Sequence, residues 1–450
     1  MLRRLGLGLL VIVMAGCSSV EAEGFAGATP SRPPPSTTAA AGEGGTASSP
    51  PEPSPEPSSP SSGEAGKGAS GGDVAATLAR MTVEEKVGQL FMPVVYGSRA
   101  DSEHQENTAR FGVGTPAEAI AKYRPGGVII FPWAGNVSNA KQLAALTTGL
   151  REASRKVPLM IGVDQENGTV SPLAAIVTKL PGAMAIGSTG DPANARAAAR
   201  LTGTELRALG ITMDFAPVAD VNINPRNPVI GPRAFGSDPE KVATMVGAAV
   251  DGFHAAGIAS TAKHFPGHGD TSTDSHTGLP VIGHSKAQWR KLDAPPFREA
   301  IAHGVDAIMS AHVVMPKLDP SGDPATLSRT ILTGLLRDEL GFDGVISTDA
   351  LNMAGVREKY GDAEVAVRAV LAGADVLLMP PDMPKAYGAV LSAVKSGRIS
   401  AARLDASVTR ILRLKAKRGM FDKVATDPSV VRSPAHLNAA RRIAREAGVA

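Results

Sequence analysis

Three of the chain's nine histidines, His264, His268 and His276, fall within thirteen residues, in Lys263-His264-Phe265-Pro266-Gly267-His268-Gly269-Asp270 followed by Asp274-Ser275-His276. One chemistry that suits this spacing is a metal centre, since His264, His268, Asp270 and His276 are all usable ligands. Another is a mobile catalytic loop. Gly267, Gly269 and Gly278 permit unusual backbone angles, and Asp274 can hydrogen-bond one ring nitrogen of His276 and leave the other for proton transfer. A third is a loop whose histidines only satisfy backbone groups. Further ionisable residues stand at Asp164-Gln165-Glu166, His312 and Asp349.

These positions gain meaning from the elements around them. From Thr82 onward, short aliphatic runs alternate with longer segments of helical spacing, the pattern of parallel βα units. The runs Phe91–Val95, Val128–Phe131, Leu159–Val163, Thr212–Phe215, Ile258–Ala262, Ala307–Ser310, Val345–Thr348 and Val376–Met379 read as strands. Asn139–Ser154, Pro192–Leu209, Pro239–Ala255, Arg329–Leu340 and His436–Val449 read as helices, several opened by Ser, Asp or Pro. Eight such repeats predict a TIM-like (β/α)8 barrel in one catalytic domain, residues 73–425, with a helical extension over 426–450; a doubly wound open sheet is the alternative. Active sites of such barrels lie at the carboxyl ends of the strands. The ionisable groups above follow the third, fifth, sixth and seventh strands, where a site is expected.

Residues 1–72 differ in composition from the rest. Arg3-Arg4 and the apolar stretch from Leu5 to Ala15, ending at Met14-Ala15-Gly16-Cys17, read as a signal peptide over 1–17, too short to span a bilayer. Small residues before a cysteine resemble the bacterial lipoprotein box, so lipidation of Cys17 and a lipid-anchored, extracytoplasmic location are expected. As the chain's single cysteine, Cys17 also excludes an internal disulfide. Residues 18–72, with ten prolines from Pro30 to Pro60, cannot bury enough surface to order themselves and read as a disordered tether. The balance of 46 Lys and Arg against 43 Asp and Glu gives no case for nucleic acid. With only 11 Phe, 4 Tyr and 2 Trp, the chain is not built chiefly as an aromatic stacking platform.

Lys-His-Phe-Pro-Gly-His-Gly-Asp at 263–270, Asp-Ser-His at 274–276 and Ser-Thr-Asp-Ala-Leu-Asn-Met at 347–353 closely resemble glycoside hydrolase family 3, in its β-N-acetylglucosaminidase branch. The likeness runs from about Met81 to Phe421. It implies a retaining mechanism through a covalent glycosyl-enzyme, with Asp349 as nucleophile, His276 as general acid/base and Asp274 as its orienting partner. It also implies that Asp164, Arg233, Lys263 and His264 bind the sugar, and that neither metal nor other cofactor is needed. The expected substrate is a glycan ending in N-acetylglucosamine, such as a peptidoglycan fragment, and the expected state is a monomer. Two departures from the family pattern are Asn167 in place of a glycine and Pro172 where relatives carry an arginine that contacts sugar. A β-glucosidase, a glycoside phosphorylase and an inert cell-wall-binding lipoprotein are the alternatives.

Overall fold

A computed structural model describes residues 71–154, 156–274, 278–357, 359–422 and 424–449. The signal segment with Cys17, the tether up to residue 70, and His276 lie outside the described residues.

Eight parallel strands alternate with helices: β1 Phe91–Met92, β2 Gly127–Ile129, β3 Met160–Val163, β4 Met213–Asp214, β5 Ala259–Phe265, β6 Ala307–Ser310, β7 Val345–Ser347 and β8 Leu377–Leu378. β2 to β7 form one sheet in chain order, and β1 pairs with β8. Isolated parallel bridges join Val94 to Ile129 and Ser347 to Val376. The strands stand where the apolar runs predict them, with one difference. β5 continues through Lys263 and His264 to Phe265, which pairs with Ser310 after a register shift. The two polar residues therefore belong to the strand rather than to the loop after it, because the strand's whole length is buried and keeps its partner on β6.

The helices follow their local signals. Thr82 and Glu85 close a reciprocal capping box on Val83–Gln89, and Asp191 and Asp238, each followed by proline at the first helical position, cap Pro192–Ala208 and Pro239–Ala255. The first described helix, Gly71–Ala79, includes Gly71 and Gly72, which composition alone assigns to the tether. The segment Thr330–Glu339 is wound as a π-helix, with the N–H of Leu340 bonding the carbonyl of Leu335. Apolar periodicity over ten residues does not separate that winding from an α-helix. The helix Pro434–Glu446 buries Ala440 and Ile443. Its His436 Nδ1 and the N–H of Arg432 both meet Glu205 Oε1 at 2.8 Å, which docks the extension on Pro192–Ala208.

All eight strands contribute to one apolar cluster that includes Met92, Ile129, Met160, Met213, Ala259, Met309, Val345 and Leu378, with Ile411, Leu414 and Met420 joining from the helix Ala401–Lys417 and the turn beyond it. Two glycines make room for Met92. A Cβ on Gly162 would lie 2.5 Å from Met92 Cε and 2.9 Å from Phe215 Cε2, and one on Gly127 would lie 3.3 Å from Met92 Cε as well as 2.9 Å from Met160 Cβ.

Candidate active site

The carboxyl ends of β3, β5 and β7, with the loops after β4, hold a connected set of charges. Lys263, 2% exposed, projects from β5 and donates to Asp164 Oδ1 at 2.7 Å and Glu166 Oε1 at 2.6 Å. Glu166 in turn receives a two-pronged contact from Arg233, whose Nε and Nη2 lie 2.8 Å from its two oxygens. A third Arg233 nitrogen, Nη1, donates to the carbonyl of Val229. Burial opposes ionisation of Glu166, but Lys263 and Arg233 more than offset it and hold the carboxyl at about 2. Burial likewise works against the Lys263 ammonium, and Asp164 and Glu166 overcome it and raise its pKa. Asp164 goes the other way: burial and the nearby Glu166 and Asp349 lift it above the usual carboxylate range despite Lys263.

His264 is the cluster's neutral member. Burial, then the charges of Arg233 and Lys263, push its imidazole well below the usual histidine range against the pull of Asp349. Its Nδ1 lies 2.7 Å from Asp220 Oδ2 and its Nε2 3.4 Å from Arg233 Nη2. A neutral ring has one N–H. With the carboxylate beside Nδ1, that hydrogen belongs there, and Nε2 accepts from the guanidinium.

Asp349 follows β7, half-buried, and its Oδ1 accepts the N–H of Ala350 at 2.7 Å. Burial raises its pKa; His264, His312, the Ala350 N–H and Lys263 act against burial and win. His312 braces the same turn, its Nε2 donating to the carbonyl of Ala350 at 3.1 Å. The site thus offers an ionised carboxylate beside fixed donors and acceptors, a combination suited to attack on a polyhydroxylated substrate.

The structure brings Asp164, Arg233, Lys263 and His264 into one hydrogen-bonded network and sets Asp349 in its field. Asp274 is half-buried on the segment that leaves β5. Asn167 takes the turn in place of glycine with φ 69°, and its Nδ2 donates to Thr202 Oγ1. Pro172 lies in a stretch held by Gln165, whose side chain bonds Ser171 Oγ and the N–H of Leu173. Among the described residues, no three His, Cys, Asp or Glu side chains converge as metal ligands would. Sequence reasoning placed Glu166 among the ionisable groups at the strand ends without giving it a role, and passed over Asp220. The first had a signal, standing two residues from Asp164 on the same face; the second had a weaker one, a carboxylate closing the apolar run Ala216-Pro217-Val218-Ala219.

A parallel α/β fold with carboxylates and buried cations at the strand ends hosts many enzyme chemistries, and the comparisons specify the family. The glycosyl hydrolase family 3 N terminal domain matches residues 82–414, and the chain belongs to that family. It is 39% identical over 364 residues to beta-hexosaminidase A of Pseudoalteromonas piscicida, covering 74% of this chain and 60% of that one. It is 34% identical to a beta-N-acetylglucosaminidase/beta-glucosidase of Cellulomonas fimi, covering 82% of this chain and 64% of the relative. The chain thus spans less than two thirds of either relative's length. Among solved structures, a family 3 beta-N-acetylglucosaminidase from Paenibacillus matches with a TM-score of 0.75 and 42% identity, over 82% of this chain and 69% of that one.

Proposed function

We propose that this chain is a retaining exo-β-N-acetylglucosaminidase that releases terminal β-linked N-acetylglucosamine from peptidoglycan fragments or related glycans. The observation that carries this reading is Asp349, a half-buried carboxylate just past β7 whose Oδ1 accepts the Ala350 N–H and which lies in the electrostatic field of the His264, His312 and Lys263 side chains. A nucleophile must be ionised to attack the anomeric carbon, and the resulting glycosyl-enzyme is then hydrolysed. His276 protonates the leaving oxygen and, once neutral, deprotonates the incoming water; Asp274 orients and charges its ring. Asp164, Arg233, Lys263 and His264 pair with sugar hydroxyls. No step calls for a metal.

The same reading takes the eight strands as a closed (β/α)8 barrel. The β1–β8 pairing, the bridges on either side of that pair and an apolar cluster fed by every strand support closure. It also takes the chain as a monomeric lipoprotein, anchored outside the cytoplasmic membrane through Cys17, with one catalytic domain after the tether and a helical extension from residue 426. Attachment of a fatty-acid label that disappears in Cys17→Ala tests the anchor.

Nitrophenol release from the N-acetylglucosaminide and the glucoside, each with and without phosphate, tests the activity. Preference for the N-acetylglucosaminide, unaffected by phosphate, is expected. Preference for the glucoside would make the chain a β-glucosidase, dependence on phosphate a phosphorylase, and no release from either an inert binder.

A further inference from the structure

Asp270 and His284 bracket the segment that carries Asp274. His284 Nε2 lies 2.9 Å from Asp270 Oδ2, and its Nδ1 lies 2.7 Å from Asp293 Oδ2. Each end of the segment is fixed to the body of the protein. At the first, Pro266 accepts from the buried indole of Trp289 at 2.9 Å, and Gly267, with φ 134°, packs so closely that a Cβ would lie 2.6 Å from Asp293 Oδ1. At the second, Val281 bridges Val314, and the N–H of Ile282 bonds the Val314 carbonyl. The Asp270–His284 contact spans fourteen residues of sequence and ties these two ends together.

We propose that His284, protonated and held between Asp270 and Asp293, is a positioning residue that clasps the ends of the 270–284 segment and so fixes Asp274 for the proton-transfer half of the reaction. The proposal rests on the function given above. Its chemistry follows from a count of hydrogens: imidazolium has two N–H groups and can serve both carboxylates, whereas neutral imidazole has one. When His284 loses its proton, one contact must break. Asp293 is 1% exposed and Asp270 36%, so the contact that water can replace is the one to Asp270. The charged groups facing the ring are Asp270, from the first end, and Asp293, from the junction of the helices Lys286–Leu292 and Ala294–Ala302, with Asp220 acting on Asp293. The hydrogen bond to Asp293 outweighs burial and, with both carboxylate charges, raises the His284 pKa. The clasp is therefore complete below the ordinary histidine pKa and is lost as pH rises through the raised value.

The test combines histidine-selective ¹⁵N NMR titration of the enzyme with kinetics on a disaccharide of N-acetylglucosamine and on the nitrophenyl glycoside. In wild type, the ratio of disaccharide to aryl rate should fall with pH at the midpoint of the His284 titration. Asp270→Asn should lower that midpoint and cut disaccharide kcat by about ten- to hundred-fold, the scale of a misplaced catalytic group. It should leave KM and formation of the aryl glycosyl-enzyme nearly unchanged, and Asp270→Glu should recover most of the loss. An unchanged ratio in Asp270→Asn despite a moved midpoint, or equal losses on both substrates, would overturn the proposal. The coincidence of wild-type midpoints needs no variant to fold, and its absence would also overturn it. If wild type cleaves neither substrate, the functional reading falls; the clasp then rests on the NMR alone, and an unmoved midpoint in Asp270→Asn overturns it.

Discussion

Lys263 and Lys415 are both removed from solvent, yet they meet opposite electrostatic fates. Lys263, at the carboxyl ends of the strands, has Asp164 and Glu166 within 2.7 Å and keeps its proton firmly. Lys415, on the helix Ala401–Lys417, reaches the other end of the strands, where its Nζ donates to Gln89 Oε1 at 2.7 Å. Gln89 directly precedes Leu90 and β1 and passes the contact on to the carbonyl of Arg124. Burial alone drives the Lys415 pKa down to about 7. Equal burial therefore does not set the charge; the neighbouring carboxylates do. One end of the strands holds fixed charges against their desolvation cost, and the other harbours an amine ready to give its proton up. A cavity of about 960 Å³ also opens at that second end, lined in part by Glu85, Gln89, Arg124 and Lys156, where Glu85 pairs with Arg124 and Lys156 at the surface and Lys415 beneath has no carboxylate partner.

The difference between the ends can be broken from either side. The largest expected effect is Asp349→Ala, which should cut turnover by about 10⁴-fold or more, the scale for a lost nucleophile, with the thermal transition preserved. Next, Glu166→Gln should destabilise the fold by about 3–5 kcal/mol in denaturant titrations, because Lys263 and Arg233 would lose a buried counter-charge. Glu166 is depressed from 4.5 to about 2. Its contribution is therefore full above pH 4.5 and is lost as pH falls toward 2, so the wild-type acid limb should flatten in the variant. At the opposite end, Lys415→Met should stabilise the protein at pH 6 by about 1–4 kcal/mol, since it removes a buried charge that has only an amide partner. With the folded pKa near 7 and the ordinary value 10.5, wild-type stability should rise across that interval by up to about 1.4 kcal/mol per pH unit, and the methionine variant should lose that slope. A wild type with no such slope would show that Lys415 keeps a charge by some other means. The smallest effect should come from deleting residues 1–70, which leaves both ends intact: rate constants on aryl substrates should not change, and cooperative unfolding should persist.

Much of the upper end was legible in the sequence, because a β-aliphatic run that stops at a charged residue marks both a strand and its site-bearing end. Asp164 and Asp349 follow that rule. Lys263 and His264 obey it less well: β5 runs on through them, since a polar residue need not end a strand when buried partners satisfy it. The pairing of Arg233 with Glu166 joins residues 67 positions apart, and spacing gives no clue to it. Lys415 was invisible for a different reason. In an amphipathic helix rich in Lys and Arg, one lysine on the buried face looks like its solvated neighbours until packing removes its water. The clasp at His284 was hidden as well, because its two carboxylates come from separate elements and neither lies at a helical or strand interval from it.

The two glycines that admit Met92 restrict how the interior can change over time. Gly162→Ala would press a methyl group against Met92 and Phe215, an overpacking cost of about 1–3 kcal/mol. If residue 92 is shortened first, the nearer of these two contacts, to Met92 Cε, is gone before the alanine arrives, and only the one to Phe215 remains. The same alanine thus costs more when it comes first than when it comes second, so what residue 162 can become depends on the order in which the interior changes.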